Sequence, residues 1–165
     1  MYEILPKLYL SSFADIDLSL SDDDVFIINC TKELPMKYNN NYRISVNDDM
    51  SDNSFTIMYD SFAKVVDIID INLEKNKKVI VHCFAGIQRS AAVICAYLMI
   101  LGYTLEDAIL FMRQKKPDVF IGNINFIVSL QKLQLDLLNK KLGFNIYDNS
   151  NIEPYCNDVN SYALI

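Results

Sequence analysis

A strand, a tight loop and a helix are predicted in immediate succession by residues 77–101, and this stretch constrains the fold more than any other. A run of β-branched residues that ends in His82 is typical of a strand buried on both faces. Gly86 permits the backbone to turn inward, and the apolar run at 91–101 predicts a helix behind the loop. Cys83 therefore stands where the strand ends.

The loop between this strand and helix is predicted to bind a tetrahedral oxyanion. Successive backbone N–H groups can point into one concavity, and the helix adds its positive N-terminal end. The same surroundings stabilise a thiolate, so we expect Cys83 to be an ionised nucleophile. Arg89 can hold two phosphate oxygens with its planar fork, and Ser90 can donate to the sulfur when it leaves. The residues expected to line the phosphate site are Phe84, Ala85, Gly86, Ile87, Gln88 and Arg89.

The segment H-C-F-A-G-I-Q-R-S at 82–90 resembles the signature loop of cysteine-dependent protein phosphatases, and its A-G-x-x-R-S form resembles the dual-specificity branch. The segments I-L-P-K-L-Y-L-S at 4–11 and I-N-C-T-K-E at 28–33 are similar to further motifs of that branch. The resemblance implies hydrolysis of phosphotyrosine, phosphoserine and phosphothreonine in proteins through a phosphocysteine, without metal or cofactor. His82, which precedes the nucleophile, is included among the expected catalytic residues.

The predicted fold class is α/β, with a mostly parallel central sheet, helices on both faces and the site at the carboxyl ends of the strands. The elements expected besides the central stretch are two extended pieces within 2–10, strands at 25–29 and 42–46, and helices at 55–75, at 104–116 and after residue 123. We expect a catalytic domain at 1–141 that begins almost at the first residue, without a regulatory domain before it, and a C-terminal tail at 142–165.

An acidic loop at 47–52 follows the third predicted strand. The leaving oxygen of a phosphate ester needs a proton, which a carboxylic acid on a movable loop can supply. In the resembled family this acid is an aspartate just after such a strand, and Asp48 matches that position best. Asp49 and Asp52 remain open as alternatives, because the segment from this loop to Cys83 is a few residues longer than the common pattern.

Cys30 directly follows the apolar strand at 25–29, as Cys83 follows the strand that ends at 82. Neighbouring parallel strands lie about 4.8 Å apart, and a disulfide requires a Cα separation of roughly 4.4–6.8 Å. If the two strands are adjacent, Cys30 is a possible redox partner that forms a reversible disulfide with Cys83. A family member has a similar F-C-T segment here, but Cys30 can equally be a small core residue. Cys95, on the helix, is expected to face the core.

Composition excludes several other classes of protein. The four cysteines form no C-x-x-C pair and His82 is the single histidine, so a zinc site has no ligand set. A net charge of −6 argues against a nucleic-acid surface. No apolar run is long enough to span a bilayer, and the N-terminus lacks the pattern of a signal peptide. We therefore expect phosphoprotein substrates, no membrane partner and a reducing cytoplasmic location, with the nucleus also open.

Three other functions fit this sequence less well. An RNA 5′-triphosphatase is the alternative enzyme, since related loops serve that chemistry, but the acidic chain disfavours it. A non-catalytic phosphopeptide-binding module would normally lack the nucleophile or the arginine, and both are present. A phosphoinositide phosphatase would need cations in the loop, whereas Phe84, Ile87 and Gln88 carry none.

Overall fold

The computed structural model describes residues 1–16 and 19–139, so the whole predicted tail at 142–165 and the last two residues of the predicted domain lie outside the described part. Five strands and four helices follow the predicted order along these residues. They are β1 Tyr2–Leu5, β2 Leu8–Ser12, β3 Val25–Asn29, β4 Asn41–Arg43, α1 Asp52–Glu74, β5 Lys78–Cys83, α2 Arg89–Ile100, α3 Leu105–Lys115 and α4 Ile127–Leu138. None of the described helices is long and apolar enough to cross a bilayer.

The five strands form one sheet in the order β1-β2-β5-β3-β4. Only the β1–β2 pair is antiparallel, and the other three pairs are parallel. The strand that ends in Cys83 is therefore central, and β2 and β3 flank it. In the parallel register Ser12 lies beside Cys83, and Asn29 lies beside His82. The predicted α/β fold with a mostly parallel sheet is confirmed, and the carboxyl ends of these strands meet at one edge.

The two faces of the sheet are covered in different ways. Val79, Val81 and Cys83 point into a large apolar core to which all four helices contribute. Successive residues of a strand point to opposite faces, and Ile80 accordingly belongs to a smaller cluster. Loop residues such as Ile16 and Tyr38 cover that cluster, and no described helix does. The sequence predicts helices on both faces of the sheet, whereas in the described residues loops cover the second face.

The strand β4 is shorter than predicted and turns toward the site. It ends at Arg43, although alternation suggested a strand as far as Val46. The N–H of Ile44 still bonds to the carbonyl of Asn29 at 2.9 Å, but the N–H of Val46 turns back to the carbonyl of Ile44 at 3.0 Å. This tight turn takes the chain out of the sheet. The residues after it therefore lie near the carboxyl end of β5.

Helix boundaries follow local capping. The side chain of Ser51 accepts a hydrogen bond from the N–H of Ser54, which starts α1 at Asp52, three residues before the predicted start. Thr104 caps α3 in the same way through the N–H of Asp107. The helix α2 is buried from its first residue to Met99, because it packs between the sheet and the other helices. A wholly buried helix directly after β5 fixes the position of the loop that joins them.

Candidate active site

Gly86 gives the loop after β5 its shape. Its φ angle is +71°, a region that L side chains rarely adopt. A Cβ atom at this position would lie 2.7 Å from the backbone carbonyl carbon and oxygen of Ser11 in β2. The loop therefore packs against β2 as closely as backbone atoms allow. The same conformation directs the N–H of Gly86 to Sγ of Cys83, at 3.3 Å.

Two donors face the sulfur of Cys83. Besides the N–H of Gly86, the hydroxyl of Ser90 donates to Sγ at 3.2 Å. The cysteine is buried, with 1% of its surface exposed, so water screens these contacts poorly. Hydrogen bonds to an ionised acceptor are stronger than neutral ones. The hydroxyl of Ser90 therefore lies where it can donate to the sulfur, as predicted from the sequence.

The start of α2 is open to an anion. Gln88 precedes the first helical residue, and its side chain makes no capping bond to the helix. The first N–H groups of a helix have no intrahelical acceptor, and they carry the positive end of the helix dipole. Both polar atoms of the Gln88 side chain instead bond to the backbone of the segment at 123–125. Nε2 donates to the carbonyl of Asn123 at 2.9 Å, and Oε1 accepts from the N–H of Asn125 at 3.1 Å. The N–H groups of this turn remain for a ligand.

Arg89 lies beside this opening with a buried guanidinium group. Only 5% of its side chain is exposed. Its Nη1 donates to Oε1 of Glu33 at 2.9 Å and to the carbonyl of Val46 at 3.5 Å. Its Nε lies 3.5 Å from Oδ2 of Asp48 but forms no hydrogen bond. A buried donor without an acceptor is costly, and an oxygen of a bound phosphate would satisfy it.

The three candidate acids occupy different surroundings. Oδ2 of Asp48 is the carboxylate oxygen near Arg89, and Oδ1 accepts from Nδ2 of Asn125 at 2.9 Å. Oδ1 of Asp49 accepts from the N–H and hydroxyl of Ser51, and these hydrogen bonds lower the pKa of Asp49 to about 2. Asp52 is exposed in the first turn of α1. Of the three, Asp48 is the one whose carboxylate lies next to Arg89.

His82 does not face the reacting sulfur. Its ring lies on the other face of the sheet, where it contacts the ring of Phe13 with centroids 5.8 Å apart. Burial, aided by nearby cations including Lys37, lowers the pKa of His82 to about 4, so the imidazole is neutral near pH 7. We predicted His82 among the catalytic residues, and the structure places its Nδ1 3.4 Å from the carbonyl oxygen of Cys83 rather than at Sγ.

Cys30 lies beside Cys83, as adjacent strands require. Its N–H donates to the carbonyl of His82 at 2.8 Å. Asn29 is paired with His82 in the sheet, so Cys30, the next residue, lies next to Cys83. Both Cys30 and Cys83 are buried, free cysteines. Burial and then the charge of Cys83 raise the pKa of Cys30 well above its ordinary value. The adjacency on which the predicted redox pair depends is therefore present.

Two residues of the site were not foreseen. Glu33 pairs with Arg89, and although partial burial acts to raise the pKa of Glu33, hydrogen bonds from its own backbone and from Arg89 lower it overall. The I-N-C-T-K-E segment contained this residue, and its position just after β3 was a signal for it. Asn125, which contacts Asp48, had no signal in the sequence, because its position depends on the loop before α4. The described residues bring no three His, Cys, Asp or Glu side chains together as a metal cluster.

An oxyanion cradle that faces a buried cysteine at the carboxyl end of a central parallel strand is the machinery of cysteine-dependent phosphatases. Residues 8–135 match the family model described as "Dual specificity phosphatase, catalytic domain". The chain therefore belongs to the dual specificity phosphatases, as the resemblance implied, and it is a protein phosphatase domain.

Named relatives and solved structures agree with this assignment. A protein of Invertebrate iridescent virus 6 that is named as a tyrosine phosphatase, 123R, is 37% identical over 110 residues, which are 66% of this chain and 73% of that protein. Human dual specificity protein phosphatase 9 is 35% identical over 144 residues, which are 82% of this chain but 36% of that protein. The crystal structure of human DUSP28 has a TM-score of 0.72 at 23% identity and covers 85% of this chain and 99% of that chain, which shows the fold.

The loop geometry makes Gly86→Ala a direct test of the cradle. We expect kcat/KM to fall by about 100-fold, because a displacement of about 1 Å at reacting groups can cost that much. The variant's Cβ would collide with Ser11, and the loop would have to move away from β2. Steady-state kinetics on an aryl phosphate, with circular dichroism to verify folding, measures the effect.

Gly102→Ala is the matched control for this experiment. Gly102 also has a positive φ, +108°, but its Cβ would meet no atom within 4 Å. It should lose stability through backbone strain while kcat/KM stays near that of the unmodified chain. A folded Gly86→Ala variant with unchanged kcat/KM would contradict the proposed packing of the loop.

Proposed function

We propose that this chain hydrolyses phosphotyrosine, phosphoserine and phosphothreonine in proteins, with Cys83 as the nucleophile and Asp48 as the general acid. The observation that carries the proposal is the buried sulfur with donors from Gly86 and Ser90, next to a guanidinium whose Nε makes no hydrogen bond. We place the activity in a reducing cytoplasmic setting, because a free thiol at the nucleophile must stay reduced.

The first half of the reaction transfers phosphorus to sulfur. The thiolate of Cys83 attacks the phosphorus in line, and an S–P bond forms as the ester O–P bond breaks. Arg89 and the N–H groups of the loop stabilise the equatorial oxygens. Asp48 gives its proton to the leaving oxygen, so the dephosphorylated side chain departs as a neutral alcohol or phenol.

The second half releases phosphate. The carboxylate of Asp48 takes a proton from a water molecule, whose oxygen attacks the phosphorus of the phosphocysteine. A P–O bond forms, the S–P bond breaks and the electron pair returns to sulfur. The hydroxyl of Ser90, 3.2 Å from Sγ, stabilises the thiolate that leaves. Asp48 is then protonated and ready for another cycle, and no metal ion or cofactor is required in this scheme.

The range of substrates rests on the shape of the entrance. No segment before the signature loop is recognisable as a clamp for tyrosine rings, and Phe84 at the mouth is 66% exposed rather than folded over the sulfur. A site without such a clamp does not demand a long aromatic side chain. We therefore infer that short phosphoserine and phosphothreonine side chains reach Cys83 as well as phosphotyrosine does.

The function is tested by release of inorganic phosphate from three panels. These are phosphopeptides with each of the three phosphorylated residues, phosphoinositides, and RNA with a 5′-triphosphate. We expect turnover of all three peptide classes, and Cys83→Ser should abolish turnover while phosphate binding persists, because a serine hydroxyl does not ionise near pH 7. Arg89→Lys should fail as well, since a point charge cannot replace a bidentate fork.

Other outcomes of the panel contradict the proposal in distinct ways. Turnover of RNA or phosphoinositides without peptides would assign a different substrate, and turnover of phosphotyrosine alone would exclude dual specificity. Peptide binding without turnover would indicate a binding module. Residual hydrolysis by Cys83→Ser beyond contamination would remove Cys83 as the nucleophile.

The acid is tested by the leaving group. Asp48→Asn should slow phosphopeptides by about 100-fold or more, a usual contribution of general acid catalysis. Aryl phosphates with good leaving groups need little protonation and should slow far less. Asp49→Asn and Asp52→Asn are matched controls in the same loop, and both should behave like the unmodified chain. If one of them shows the selective loss and Asp48→Asn does not, Asp48 is not the acid.

We also propose that Cys30 protects the nucleophile during oxidation. Peroxide converts the thiolate of Cys83 to a sulfenic acid. The sulfur of Cys30 then attacks that sulfur, an S–S bond forms, the S–O bond breaks and water leaves with the proton of Cys30. The register that sets these residues side by side supports this step. The raised pKa of Cys30 makes it a slow nucleophile, so the disulfide should form slowly.

Peptide mapping after mild peroxide treatment tests this disulfide. We expect a Cys30–Cys83 link, with activity restored by a thiol reductant. Cys30→Ser should lose activity irreversibly under the same treatment, and Cys95→Ser is the control that should behave like the unmodified chain. A Cys83–Cys95 link, or overoxidised Cys83 with Cys30 still free, would exclude the proposal.

A further inference from the structure

One hydrogen-bond chain connects the phosphate loop to the proposed acid. Asn125, in the segment before α4, donates from Nδ2 to Oδ1 of Asp48 at 2.9 Å. The backbone N–H of Asn125 donates to Oε1 of Gln88 at 3.1 Å, and Nε2 of Gln88 donates to the carbonyl of Asn123 at 2.9 Å. Gln88, the residue just before Arg89, thus holds the backbone of Asn125, and the side chain of Asn125 bonds to Asp48.

We infer that Asn125 is a positioning residue for the general acid, and that Gln88 fixes it relative to the phosphate loop. The inference rests on the proposed role of Asp48. An amide donor on Oδ1 fixes the orientation of the carboxyl group and leaves Oδ2, which lies 3.5 Å from Nε of Arg89, directed at the site. Proton transfer requires this geometry, because a general acid must lie within hydrogen-bond reach of the leaving oxygen.

The loop that carries Asp48 makes such an anchor necessary. The chain leaves the sheet at Arg43, and Asp48 and Met50 on the following loop are both exposed. Exposed loops sample many orientations, and ordering them has an entropic cost. Asn125 is only partly exposed and stands directly before the buried Phe126. A side chain on a packed segment therefore restrains a side chain on an exposed loop.

The amide contributes a directed donor and not only bulk. Asn125→Ala removes the side chain, while Asn125→Asp keeps its shape but replaces the donor with an acceptor that faces another carboxylate. If Asn125 acts by hydrogen bonding, both variants lose the effect, and the aspartate variant loses at least as much. If it acts by packing, the aspartate variant retains the function of the unmodified chain.

The test compares kcat and KM for a phosphopeptide and for an aryl phosphate with a good leaving group. Asn125→Ala and Asn125→Asp should lower kcat for the phosphopeptide by about 10-fold with little change in KM, since alignment of an acid is a transition-state effect. The loss on the aryl phosphate should be several-fold smaller. Gln88→Leu, which removes both bonds to the segment, should show the same selectivity to a lesser degree. Asn53→Ala, at an exposed position in α1, is the matched control.

A double-mutant cycle separates positioning from a structural role. In an Asp48→Asn background, Asn125→Ala should cost less than about two-fold further on the phosphopeptide, because residues that act through one another are not additive. A loss that adds fully, or a loss equal on both substrates, would overturn the inference. Thermal denaturation of each variant verifies that it is folded.

The outcomes also distinguish this inference from the proposed function. If Asp48→Asn shows the leaving-group effect and neither Asn125 variant does, the positioning role fails and Asp48 remains the acid. If Asp48→Asn itself lacks that effect, the assignment of the acid fails and the inference with it. Nucleophile chemistry at Cys83 is tested separately, because turnover of the aryl phosphate depends little on the acid.

Discussion

The site is assembled around the buried guanidinium group of Arg89 and the contacts that it makes. Removing a charge from water costs several kcal/mol unless it is paired, and only 5% of this side chain is exposed. Its partners come from the loops after two different strands: Glu33 follows β3, and Val46 and Asp48 follow β4. The cation therefore draws these loops to the carboxyl end of β5. Because Nε remains without a hydrogen bond, an anion in the cradle completes the pairing.

The nucleophile side of the site is predictable because it is local. Strand, loop and helix follow one another within 77–101, so their relative placement depends on backbone geometry rather than on distant contacts. The chain turns tightly between strand and helix, and Gly86 makes that turn with its positive φ. Ser90 reaches the sulfur because α2 begins immediately after the loop. The alternation of β5 also explains why the ring of His82 lies on the face of the sheet opposite Sγ of Cys83. Neighbouring residues of a strand point to opposite faces. The position of His82 next to Cys83 in the motif does not by itself indicate this.

The acid side is less predictable because it depends on loops. Sequence proximity to a strand end indicated Asp48, but the choice among three aspartates depends on which one contacts Arg89. Asp49 is instead held by Ser51 near the start of α1. Glu33 and Asn125 reach the site through long-range contacts, across 56 and 77 residues. Periodicity and capping predict elements; they do not predict which loop side chains meet. The parallel sheet was predictable, whereas the loop cover of its second face was not.

The division of labour on Arg89 explains why the acid needs a partner of its own. Nη1 is held by Glu33 and by the carbonyl of Val46, so the edge that carries Nε is the one left for phosphate oxygens. That same edge lies 3.5 Å from Asp48. In the proposed reaction, a phosphate oxygen that bonds to Nε would weaken the attraction that holds Asp48 there, at the step for which the carboxyl group has to be fixed. A neutral amide on its other oxygen has no such conflict, because it carries no charge for the phosphate to attract.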